Sequence, residues 1–94
     1  MYKRQPVPAL IQLLQDQDSD VRRNAAYALG SIGAGAVNAV PTLIQAFQDP
    51  HAIVRQGAAE ALEKIGTLEA LKAVEEYQSQ QQYTDTFTKP VGDE

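Results

Sequence analysis

The 94-residue sequence predicts an all-α fold, a right-handed α-solenoid of helical hairpins with two full repeats and a C-terminal capping helix. Three observations carry that reading. Residues 7–33 match residues 40–66 without a gap at 15 of 27 positions, so the chain contains a tandem unit. Apolar residues within each unit recur at helical spacing. Proline and glycine stand where such helices should begin and end.

The first helix of each unit is read from Leu10, Ile11 and Leu14, matched by Leu43, Ile44 and Phe47. Pro8 and Pro41 fall in its first turn, where a missing N–H costs nothing. The second helix is read from Val21, Ala25, Ala28, Leu29 and Ile32, matched by Val54, Ala58, Ala61, Leu62 and Ile65. Its many alanines let neighbouring helices come close. Gly33 and Gly66 end these helices and are expected in the left-handed region as C′ caps. Asp49 before Pro50 reads as an N-cap, and Asp16, Asp18 and Ser19 compete for that place in the first unit. A third unit begins at residue 67. Leu68, Leu71, Val74 and Tyr77 are expected to form its buried stripe, with Glu69, Lys72, Glu75 and Glu76 outside. The predicted helices span 6–16, 18–32, 37–48, 50–65 and 68–79. Repeat one is 6–33, repeat two 38–66, the half-repeat or cap 67–79, and 80–94 an acidic flexible tail.

The run Val-Pro-x-Leu-Ile, then Asp, then Val-Arg-x-x-Ala-Ala-x-Ala-Leu-x-x-Ile-Gly resembles the phycobilisome-lyase type of HEAT-like repeat. The resemblance covers residues 6–78. It implies a short solenoid, and it implies two kinds of role: adaptor or scaffold, or accessory subunit of a bilin lyase that handles chromophores on light-harvesting proteins.

Composition narrows the function. The absence of cysteine excludes disulfides, thiolate zinc and cysteine nucleophiles. His51 is the single histidine, so no histidine-based metal cluster or catalytic triad can form, and no cofactor is expected. Acidic and basic residues balance over 1–74, and the net charge of −4 falls on 75–94. Without a basic stripe, nucleic acid is not an expected partner. No apolar run approaches the roughly 20 residues of a membrane span, and the N-terminus has no secretory pattern. A cytoplasmic, non-enzymatic protein that binds another protein is the expectation.

Asp16, Arg22, Asp49 and Arg55 recur one repeat apart, so they are read as a structural ladder rather than an anion clamp. His51 is read as a solvated side chain. The acid pairs Asp18/Asp20 and Glu60/Glu63 are read as helix-start and surface charges, since catalysis would need a pocket that shifts their pKa values. The variable positions of the second helices, which the resemblance implies line the concave face, form the candidate partner face: Asp20, Arg23, Asn24, Tyr27 and Ser31, then Ile53, Gln56, Glu60 and Lys64. Tyr27 and Ile53 are large for a solvated face, and Gly57 costs about 1 kcal/mol inside a helix, so both features point to a binding surface. Leu10, Leu13 and Leu14 of the first helix suggest self-association, a homodimer formed through the N-terminal repeat. Tyr83, Phe87 and Val91 offer a docking motif, weighed against a disordered terminus.

Overall fold

In a computed structural model the described residues are 6–88, with side chains described through Gln81. They are helical nearly throughout and contain no strand. Helix α1 spans Val7–Leu13 and α2 spans Ser19–Ile32. A 3-10 segment, Gly33–Ala39, leads into α3, Val40–Gln45, and a second, Ala46–Gln48, follows it. Helix α4 spans Ala52–Ile65 and α5 spans Leu68–Thr88. Pro8 and Pro41 lie in the first turns of α1 and α3, as expected.

Helices α2 and α4 share the most extensive contact, while α1 packs on α2, and α5 on α3 and α4. Leu29, Leu43, Leu62, Val40 and Val54 are fully enclosed, with alanines at most of the other buried places. Helical segments follow one another over Ser19–Gln48, and the most apolar window of that stretch has a mean hydropathy of 1.3. Gly33, at φ 73°, turns the chain there and leaves α2 only 14 residues long, about 21 Å and short of a bilayer core.

Several local expectations are corrected. Gly66 is left-handed (φ 76°, ψ 10°), but Gly33 combines φ 73° with ψ −134°, a different conformation equally suited to glycine. Asp18 wins the competition to cap α2, its side chain accepting from Asp20 N–H at 2.8 Å. Asp49 does not cap α4. Its carboxylate accepts from His51 N–H at 2.9 Å, an Asx-type turn that keeps His51 extended and starts the helix at Ala52.

The inward row of α5 is buried Ala70 and Val74 with half-buried Tyr77, not Leu68, Leu71, Val74 and Tyr77. Leu68 is 74% exposed and Leu71 44%. Three steps of three residues rotate a helix by about 900°, so Leu68 and Tyr77 stand about 180° apart and cannot share a face. Tyr77 instead stacks on Phe47, ring centroids 4.2 Å apart and planes 6° from parallel. Helix α5 also runs on to Thr88, past the expected end at 79, because no glycine or proline occurs between residues 68 and 88. The expected flexible tail therefore loses residues 80–88 to helix. Lys89–Glu94 lie outside the described residues, as do the side chains of Tyr83 and Phe87.

The two buried second-helix glycines differ in what surrounds them. A Cβ on Gly30 would lie 3.0 Å from the Ala61 Cα, a backbone atom that cannot give way. A Cβ on Gly57 would meet Arg23 Cγ and the Tyr27 ring at 3.5 Å, ordinary contact. Gly57→Ala should therefore stabilise the fold by about 0.5–1 kcal/mol through helix propensity. Gly30→Ala should destabilise it by about 1–2 kcal/mol, because α4 must move away. Urea denaturation of both variants measures the two signs; a shared sign would contradict this account of the α2–α4 contact.

Candidate functional site

Two clusters gather the residues singled out in the sequence, one at each end of the second helices. At the N-terminal end lies the ladder. Arg22 Nε donates to Asp49 Oδ2 at 2.7 Å and Nη2 to Oδ1 at 3.2 Å, while Nη1 donates to the Asp16 and Gln17 carbonyls at 2.7 and 3.0 Å. One guanidinium thus fastens its own hairpin turn and the next repeat's aspartate, in the bidentate geometry that suits Arg. Arg55 repeats the first half, its Nη1 donating to the Asp49 carbonyl at 2.6 Å. Asp16 accepts from Asp18 N–H at 2.9 Å, as Asp49 does from His51.

His51 lies against this cluster, its Nδ1 3.4 Å from Arg22 Nη2 and 3.6 Å from Asp49 Oδ1, with its side chain 55% exposed. The arrangement holds a turn rather than activating a nucleophile. Asp49 already accepts from Arg22 twice and from His51 N–H, so its oxygens are committed. Burial pushes the Asp49 carboxyl up, but the Arg22 hydrogen bond, the His51 N–H and the Arg22 charge outweigh it and hold the value below the ordinary carboxylate range. The hydrogen bond to Asp49 raises Arg22 in turn.

The second cluster lies toward the C-terminal ends of α2 and α4. Tyr27, Ser31, Glu60 and Lys64 surround a hollow of about 200 Å³ floored by Gly30 and Ala61. Tyr27 is 43% exposed, its ring edge resting over Gly57. Four of the nine candidate face residues therefore converge, and five do not line the hollow. Asp20 pairs loosely with Arg23 at 3.8 Å, and Asn24, Ile53 and Gln56 stand exposed. Arg23 packs its stem beside Gly57, and its Nε is buried with no hydrogen-bond partner among the described residues.

Gly57 is not required by the packing of α4, since a Cβ there would meet Arg23, Tyr27 and Ala26 at 3.5, 3.5 and 3.6 Å, ordinary contact. One reading changes here. Leu10 and Leu14 belong to the core, 4% and 5% exposed, because they face α2 and the segment before α3. Leu13 alone of the three expected self-association residues stays partly open. Gly30 and Ala61, the floor of the hollow, were missed as site residues. A glycine at 30 against Glu63 one repeat on was the available signal.

The depressed Asp49 value fixes the sign of one pH effect. A carboxyl that titrates lower when folded contributes stability above its unfolded value of 3.8, and that contribution fades as pH falls through the lower folded value. Asp49→Asn should melt below wild type at neutral pH, with the gap closing as pH drops below 3.8. Thermal melts from pH 7 to pH 2 test this, and a gap independent of pH would refute it.

Comparison with known protein families matches residues 7–85 to HEAT repeats. Comparison with curated proteins gives no match. HEAT repeats commonly mediate protein–protein interaction and are generally non-catalytic scaffolds. The matched span takes in both hairpins and most of α5, and the chain belongs to the HEAT repeat family.

Proposed function

We propose that this chain is a non-catalytic interaction module that binds another protein through the face of its second helices, with Tyr27 as anchor. The observation that carries the reading is the hollow between α2 and α4. An aromatic ring held at its edge by Gly57, a small-residue floor at Gly30 and Ala61, and polar Ser31, Glu60 and Lys64 at the rim give the make-up of an interface centre. Glu60 and Lys64 offer one charge of each sign, which favours a partner segment with a large apolar side chain flanked by polar groups. The resemblance to the phycobilisome-lyase repeat supports the alternative of an accessory subunit of a bilin lyase. It rests on the repeat motif, whereas the interaction reading also rests on the hollow.

A photo-cross-linking residue placed at Ser31 identifies the bound protein, and calorimetry then measures its affinity. Tyr27→Ala should weaken binding by about 2 kcal/mol while changing folding stability by less than about 1 kcal/mol, because the ring is substantially exposed. Equal binding by variant and wild type would overturn the assignment. Identification of a bilin-bearing protein by the cross-link would favour the alternative.

A further inference from the structure

We infer that Arg55 is a carboxylate-binding site, built to take an aspartate from a turn of a partner protein in the way Arg22 takes Asp49. The molecule supplies its own template. The groove beside Arg22, about 400 Å³, is lined by Leu14, Asp16, Arg22, Thr42, Gln45 and Asp49. The groove beside Arg55, about 570 Å³, is lined by Phe47, Asp49 and Arg55, equivalents at the shift of 33, and by Ala73, Glu76 and Gln80, equivalents at the shift of 31 that sets Ala39 on Ala70 across a connector two residues shorter. In the first groove the position facing the arginine holds a carboxylate, and both Asp49 oxygens accept from Arg22. In the second the equivalent position is Gln80, a neutral amide.

Arg55 is otherwise prepared as Arg22 is. It is half-buried, and its Nη1 is tied to the carbonyl six residues back, Asp49, as that of Arg22 is to Asp16. Among the described residues it forms no ion pair, Glu76 included. A guanidinium anchored on one side, partly desolvated and without a counter-ion, favours an acidic group over a neutral one. The stacked Phe47 and Tyr77 rings and Pro50 give the groove an apolar wall. This end of α4 lies away from the Tyr27 hollow, so the two sites are independent.

The probe is the chain's own ladder turn, an acetylated and amidated peptide of residues 47–52, whose aspartate and following proline set the geometry Arg22 recognises. Arginine Nε–H signals report binding by NMR, with Arg22 as the internal reference for an aspartate-bound guanidinium. The peptide should shift the Arg55 signal toward that of Arg22 and leave Arg22 in place. The peptide with Asn in place of its aspartate should bind about tenfold more weakly, the loss expected for a charge-assisted hydrogen-bonded pair. Gln80→Glu keeps the side-chain length and supplies the carboxylate within the chain, so it should move the Arg55 signal without peptide and weaken peptide binding by about the same factor. Tyr27→Ala should leave the titration unchanged. Equal binding of the two peptides, full binding by Gln80→Glu, or a peptide shift at Arg22 instead of Arg55 would each overturn the assignment.

Discussion

The close approach of α2 to α4, with Gly30 over Ala61, sets the separation at which the repeats lie, and the other contacts depend on that distance. Were the helices farther apart, Arg22 could not reach Asp49 at 2.7 Å while still bonding its own turn. The same closeness rests the Tyr27 ring over Gly57 and shapes the hollow beside it. Gly30 lowers the intrinsic helix propensity of α2 by about 1 kcal/mol relative to alanine. A local preference is thus given up for a tertiary contact, the kind of conflict that marks a constrained position.

The ladder adds specificity to this packing more than bulk stability. A row of alanines can slide along a facing row at little cost, since one small side chain resembles the next. Arg22 permits one register only, because its guanidinium must meet the Asp16 and Gln17 carbonyls and the Asp49 carboxylate together. Taking an ion pair partly out of water yields little net energy. Holding two hairpins at one offset is the better explanation of its recurrence, and a depressed Asp49 value is what such a carboxylate should show.

Much of this architecture was legible in the sequence, because repetition reports itself: a shift of 33 residues displays both hairpins, and the Arg and Asp positions within it foretold the ladder. What escaped was governed by angle and by surroundings rather than by residue type. Leu68 looks like part of a stripe until its rotation from Tyr77 is worked out. Residues 80–88 lose apolar periodicity, which removes a packing partner but not the helix, and with no glycine or proline the backbone continues. Leu10 and Leu14 were visible as apolar, yet whether they faced inward depended on the chain after Gly33 folding over them. In the site, Tyr27 was identified from its character, while Gly30 and Ala61 were passed over because small residues announce neither a floor nor a cavity.

The same repeat comparison shows where the spacing stops being continued. The position of Gly30 on α2 is occupied on α4 by Glu63, and that of Tyr27 by Glu60. A second helix laid on α4 as α4 is laid on α2 would meet a glutamate where its backbone needs to come within contact of a glycine. It would stand farther off, and the arginine-to-aspartate reach that binds repeats one and two would be lost with it. The exposed face of α4 is therefore not equivalent to that of α2, and the ladder position that follows it, Gln80, has changed in step. Helix α5 packs instead through small Ala70, through Val74 and through the Tyr77 stack on Phe47, an interface that does not call on the α2-type approach. Glutamate on the helix face and glutamine at the ladder are two departures with one consequence: the α2–α4 spacing is not repeated on α4, and Arg55 faces α5 across a groove with no ion-pair partner among the described residues.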